Sequence, residues 1–149
     1  MTRQTNVKYT GVPEDYFSIL SDASNEWPSD EIDCAASRAN AVIALVMIFL
    51  SSKESRPLDL TLGNAIWSAM GDIALIQKMA HHYNNEAIHN AARCASSGLS
   101  AVLMFLNEHE GQPADYILSD CLELVAAQLV EIRKLSDLEH EQQRQLRAV

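Results

Sequence analysis

The chain has 149 residues, which is enough for one domain whose core can form without disulfides or a structural metal. Apolar residues make up 48% of it and charged residues 21%, a balance typical of globular proteins and unlike that of disordered chains. A formal net charge of −9 repels phosphate groups, so we expect neither nucleic acid nor a membrane surface among its partners.

The features that bear on cellular location predict a soluble cytoplasmic protein. No apolar stretch follows Arg3 near the N-terminus, so we expect no secretory signal. The longest purely apolar run is Ala41–Leu50, well short of the roughly 20 residues that a bilayer requires, and we interpret it as a buried helix. The cysteines are odd in number and widely spaced, which predicts reduced, buried thiols rather than a disulfide framework: Cys34, Cys94 and Cys121.

The first 28 residues predict an N-terminal arm. Within it, residues 13–22 have the pattern of a short helix that presents Tyr16, Phe17, Ile19 and Leu20. We expect this segment to pack on or near the rest of the domain.

Residues 29–83 predict a first helical hairpin. Ser29 and Asp59 are the expected N-caps of its two helices, because their side chains can accept a hydrogen bond from a first-turn N–H group. Pro57 follows the polar loop and prevents the first helix from continuing through it. Apolar and small residues recur every three or four positions, at Ile32, Ala36, Ala39, Ile43, Val46, Leu50, Leu62, Ile66, Ala69, Ile73, Ile76 and Ala80.

Residues 85–135 predict a second hairpin of the same plan. Asn85 and Asp115 are its expected caps, and Pro113 stands before the second of them. Its apolar stripes are Ile88, Ala92, Ala95, Leu99, Val102, Leu106, Leu118, Leu122, Val125, Leu129 and Ile132. The polar residues 136–149 predict an extension of the last helix or a tail.

The two hairpins resemble each other in sequence. Residues 32–79 align with residues 88–135 without a gap, and 13 of the 48 aligned positions are identical. The identities include Pro57/Pro113 and Asp59/Asp115, which helical periodicity alone does not require. We therefore predict an all-α single domain over residues 1–149, a four-helix bundle made of two pseudo-repeated hairpins.

A mismatch between the halves suggests an interface. Trp67, Gly71 and Leu75 lie at spacings of four on the predicted outer side of the second helix, flanked by Met70 and Ala74. The fourth helix has Glu123 and Glu131 in place of Trp67 and Leu75. A helical glycine costs about 1 kcal/mol relative to alanine, which close approach by another segment could offset. We expect this stripe to contact the N-terminal arm, a second copy of the chain, or another protein.

A metal site is the alternative reading. Glu86 and His89 form the only Glu-x-x-His spacing, and His81 and His82 precede them near a predicted helix end. Glu-x-x-His places two ligands on one helix face, but carboxylate-bridged metal bundles carry a second such motif, which this chain lacks. The ordinary explanation is that the carboxylate and the imidazoles favour the helix termini where they stand.

The sequence has no motif of a known catalytic machinery. It contains no Gly-x-Gly-x-x-Gly, no phosphate-binding loop and no Gly-x-Ser-x-Gly. We expect a non-enzymatic interaction module without a cofactor, of the size and class of bacterial and phage accessory proteins. The alternative is a bundle that binds a metal or a small ligand.

Overall fold

The computed structural model describes residues 26–52, 59–107 and 115–148. Four α-helices make up this part of the chain: α1 (Ser29–Ser51), α2 (Asp59–His82), α3 (Glu86–Asn107) and α4 (Asp115–Arg147). The predicted all-α four-helix bundle is confirmed. Several predictions concern residues outside this part of the chain. They are the short helix at 13–22, most of the N-terminal arm, and the helix-breaking roles of Pro57 and Pro113.

Helix ends follow the sequence closely. Asp59 and Asp115 are the first helical residues of α2 and α4, so each helix begins one residue earlier than the predicted N-caps imply. The side-chain oxygen of Asn85 accepts a hydrogen bond from the backbone N–H of Ile88 at 3.1 Å, so its predicted role as a cap is confirmed. The prediction for Ser29 is wrong by one residue: Pro28 occupies the N-cap position, and its carbonyl accepts the N–H of Ile32 at 3.0 Å.

The helices form a ring in which each packs against two neighbours. α1 packs on α2 and α4, and α3 packs on the same two helices. Short connections make successive helices antiparallel, and Asp33 in the first turns of α1 meets Arg133 in the middle of α4 at 3.1 Å. Every apolar stripe residue predicted from the sequence lies in the core thus enclosed.

One contact between helices has a counterpart at the 56-residue offset. Asp33 pairs with Arg133 across α1 and α4, and the equivalent positions are His89 and Gln77, which meet across α3 and α2. This correspondence is what two similar hairpins packed around an approximate two-fold axis would give. Superposition of the two halves stays a prediction.

The segment that precedes α1 is hydrogen-bonded to the C-terminal part of α4. The indole N–H of Trp27 donates a hydrogen bond to the hydroxyl of Ser136 at 3.0 Å, and both residues are buried. The backbone N–H of Trp27 donates to the side-chain oxygen of Gln143 at 3.1 Å. α4 therefore continues as a helix past Ile132, through Arg147, with the chain entering α1 packed along it.

Alanine substitution at two helical glycines should change the stability of the protein in opposite directions. A Cβ at Gly98 would lie 2.7 Å from a methyl group of the buried Val125, whereas one at Gly71 would meet no described atom within 4 Å. Alanine at Gly71 should raise the free energy of unfolding by about 1 kcal/mol through helix propensity. Alanine at Gly98 should lower it by about 1 kcal/mol, because overpacking outweighs propensity there.

Urea denaturation of the two variants, followed by circular dichroism at 222 nm (the usual wavelength for helix), measures this difference. A loss of stability in Gly71→Ala as large as that in Gly98→Ala would contradict it and would reveal a contact at Gly71.

α1 differs from the other helices in its apolar character. It has 23 residues and a mean hydropathy of 1.8 in its most apolar window, so its length and composition would allow it to cross a membrane. A core helix of a soluble protein has the same properties. Seven of its residues are buried in the bundle core, which accounts for only one side of the helix.

Candidate functional site

The predicted stripe on α2 is not one continuous surface. Trp67 is 66% exposed, but Leu75 is 4% exposed and belongs to the core. Met70 packs partly buried against the core, and Gly71 and Ala74 are intermediate in exposure. Periodicity gives the direction of a side chain from its own helix, whereas burial also depends on what stands beside that helix. Of the five predicted interface residues, only Trp67 is largely open to solvent.

Exposed apolar residues lie on the outer sides of both α1 and α2, at the same end of the bundle. We define this α1–α2 outer face by six exposed residues: Ala41, Ala44, Leu45, Ile48, Leu60 and Trp67. Leu45 and Ile48 are 48% and 62% exposed, and Leu60 is 70% exposed. Because α1 and α2 are antiparallel, the C-terminal half of α1 and the N-terminal half of α2 lie at the same end of the bundle.

The α1–α2 outer face carries no charge of its own. No charged residue stands between Arg38 and Lys53, or between Asp59 and Asp72. The Arg38 guanidinium donates to the Asp72 carboxylate at 3.0 Å, and this ion pair forms the border of the uncharged surface. Residues 94–107 of α3 are likewise without charged side chains, whereas the outer side of α4 carries Asp120, Glu123 and Glu131.

The predicted metal ligands meet at the other end of the bundle. His81 near the end of α2 and His89 in the first turns of α3 have ring centroids 5.6 Å apart, with an interplanar angle of 46°. Glu86 lines the same open depression of about 430 Å³. His82 is turned away from it and lies edge-on to Tyr83, with centroids 4.9 Å apart. The structure thus brings together three of the four candidate residues and separates His82 from them.

Aromatic side chains close this end of the bundle. Trp27 and Tyr83 pack edge to face with ring centroids 5.8 Å apart. Burial raises the pKa of the Tyr83 hydroxyl above its ordinary value of 10.0, and the nearby Glu31 carboxylate raises it further. The phenol is therefore neutral at physiological pH, and it contributes packing area and a hydrogen-bonding group without a charge.

The thiols are less buried than expected. Cys34 and Cys94 are exposed and Cys121 is intermediate, and all three are free. The expectation of buried thiols is wrong for Cys34 and Cys94, which lie on the outer sides of α1 and α3.

The sequence gives no signal for one feature of these surfaces and a partial signal for another. Trp27 has no sequence pattern that predicts its burial, because it precedes the first periodic helix and its partner Ser136 is distant in sequence. The α1–α2 outer face had a visible signal, since apolar residues on both sides of one helix indicate burial on more than one side.

The chain matches no known family model, and no curated protein or solved structure is significantly similar to it. Its class therefore rests on the helices and their packing, which define an all-α four-helix bundle.

Proposed function

We propose that the protein is a non-enzymatic interaction module that associates with a second copy of itself through the α1–α2 outer face. The observation that carries this proposal is the two-sided apolar character of α1. One side has seven residues in the bundle core, and the opposite side presents Ala41, Ala44, Leu45 and Ile48 to solvent. Water contact with both Leu45 and Ile48 is unfavourable, and contiguous exposed apolar residues mark interfaces in soluble proteins.

The charge distribution favours a second copy as the occupant. Two chains of charge −9 repel each other, and the repulsion is least where facing surfaces carry no carboxylate. The α1–α2 outer face meets this condition, whereas the outer side of α4 carries Asp120, Glu123 and Glu131. A two-fold axis through this face places it against itself, so each apolar contact is made twice.

Side-chain size also favours pairing of α1 with its copy. Ser37, Ala41 and Ala44 lie on the outer side at spacings of four and three, and all are exposed. Small residues along a helix face allow another helix to approach closely, with larger side chains packing around the contact. Leu45 and Ile48 on α1, with Trp67 on α2, provide these larger groups.

The same proposal accounts for the hydropathy of α1 without a membrane. The bundle covers one side of the helix and the second copy covers the other, as for a core helix of a soluble cytoplasmic protein. The net charge of −9 opposes binding to anionic lipid or nucleic acid. We also propose that the two similar hairpins are copies of one unit whose outer sides have diverged.

The double variant Leu45→Glu/Ile48→Glu tests the proposed interface. We expect wild-type protein to sediment as a dimer and this variant to sediment as a monomer with unchanged helicity. Both replaced side chains are largely exposed in one chain, so the charges need not enter the bundle core. Sedimentation velocity over a range of concentrations, combined with circular dichroism, measures both properties.

The matched control is Leu124→Glu/Leu138→Glu on α4. It adds the same two charges at positions that are 71% and 55% exposed, and it should remain a dimer. A wild-type protein that is monomeric at every concentration would refute the proposal. Equal dissociation of the two double variants would also refute it, because it would show general repulsion rather than a specific face.

A further inference from the structure

We infer that His81 and His89 form a binding site for a divalent transition-metal ion at the turn between α2 and α3. The site is independent of the proposed self-association, because the α1–α2 outer face lies at the opposite end of the bundle. The inference starts from the two imidazole rings, whose centroids are 5.6 Å apart although seven residues separate them in the chain. A metal bound about 2.0–2.1 Å from one nitrogen of each ring at a tetrahedral angle places the centroids roughly 5 Å apart, which a small rotation of the exposed His81 side chain reaches.

The hydrogen bonding of His89 prepares one of its nitrogens to be a ligand. Its Nδ1 lies 3.3 Å from the backbone carbonyl oxygen of Gln77. A carbonyl can only accept a hydrogen bond, so the contact requires Nδ1 to carry the proton. In the neutral ring, Nε2 then has the free lone pair. Metal-ligating histidines are commonly oriented in this way, with the second nitrogen donating to a carbonyl or carboxylate.

The turn fixes the relative placement of the two helix ends that carry these rings. The backbone N–H of Asn85 donates to the carbonyl of Ala80 at 2.8 Å, and the Asn85 side chain caps α3 at Ile88. Asn84 adopts a positive φ of 58°, which asparagine tolerates better than most residues and which lets the turn close in few residues. The site is thus built on two helix ends joined by a short, hydrogen-bonded turn.

The surroundings provide charge and space for the remaining coordination positions. Glu86 lies one turn before His89 on α3, and its carboxylate lines the depression together with Asn84, Asn85 and Asn90. Across the ranges 26–52, 59–107 and 115–148, no group of three His, Cys, Asp or Glu is arranged to hold an ion. We therefore infer two imidazole ligands, with water completing the shell and Glu86 contributing electrostatic attraction. For such a nitrogen site, Cu²⁺ binds more tightly than Zn²⁺.

Titration with CuCl₂ and ZnCl₂ in a calorimeter tests the inference, using the full chain at pH 7.5. Wild-type protein should bind one Cu²⁺ per chain, and more tightly than Zn²⁺. His81→Gln and His89→Gln should each weaken Cu²⁺ binding by at least about tenfold, since even the loss of an outer-shell partner costs ten- to hundredfold. Because His81 is exposed, its variant keeps the fold, and circular dichroism verifies this.

His82→Gln is the matched control. It removes an imidazole one residue from His81 that packs on Tyr83 outside the depression, and Cu²⁺ affinity should change less than threefold. The absence of stoichiometric Cu²⁺ binding to wild-type protein would overturn the inference. An equal effect of His82→Gln and His81→Gln would also overturn it, as would full affinity in both His81→Gln and His89→Gln.

Discussion

Glutamate at Leu75 should abolish most of the stability of the bundle, whereas glutamate at Trp67 should leave the fold intact. Leu75 is 4% exposed and belongs to the core, so the replacement removes its apolar contacts and buries a carboxyl group without a designed partner. We expect a loss of about 3–5 kcal/mol, a large share of the stability of a typical domain. Trp67 is mostly exposed, and the same change there should alter the stability of one chain by less than about 1 kcal/mol.

Urea denaturation of the two variants compares these effects directly, and Leu75→Met is the matched control. Methionine nearly conserves the volume and apolar character of leucine, so this variant should lose less than about 1.5 kcal/mol. Equal stability of Leu75→Glu and Trp67→Glu would show that position 75 is open to solvent. The comparison also separates the two predicted members of the α2 stripe, which pure periodicity treated as equivalent.

Replacement of Trp27 by alanine should lower the free energy of unfolding nearly as much as Leu75→Glu does. The ring is 4% exposed, packs on Tyr83 and donates to the hydroxyl of Ser136, which is fully buried. Alanine in place of a buried aromatic residue typically loses about 3–5 kcal/mol. Ser136→Ala alone should lose about 1–3 kcal/mol, because the indole N–H would remain buried without its acceptor.

A double-mutant cycle of Trp27→Phe and Ser136→Ala isolates the hydrogen bond. If the bond stabilises the bundle, the two losses should not add, since each single change removes the same interaction. Denaturant midpoints followed by circular dichroism give the four stabilities. Additive losses would show that Trp27 acts through packing area alone.

The ion pair beside this contact provides a control for surface electrostatics. Arg147 donates to Glu26 at 2.8 Å, but both side chains are about 60% exposed. An exposed pair contributes little, so Arg147→Gln should change stability by less than about 1 kcal/mol. Comparison of Arg147→Gln with Trp27→Ala shows which contact between the N-terminal segment and α4 contributes more to the stability of the bundle.

The sequence by itself determined the architecture of the described part of the chain. Each apolar stripe predicted to face the bundle core is buried. A period of three to four residues aligns side chains along one face of a helix, whichever element packs against that face. The Asn85 cap also followed from local chemistry, since a capping side chain and the N–H group that it satisfies are neighbours in sequence, and the starts of α2 and α4 were predicted to within one residue.

Only the tertiary structure decided which side chains meet across helices. The burial of Leu75, the approach of His81 to His89 and the pairing of Trp27 with Ser136 depend on the relative placement of separate helices. Trp27 and Ser136 are separated by 109 positions, and no local pattern connects them. Periodicity fixes the direction in which a side chain leaves its own helix, but the packing of neighbouring helices sets what that side chain contacts.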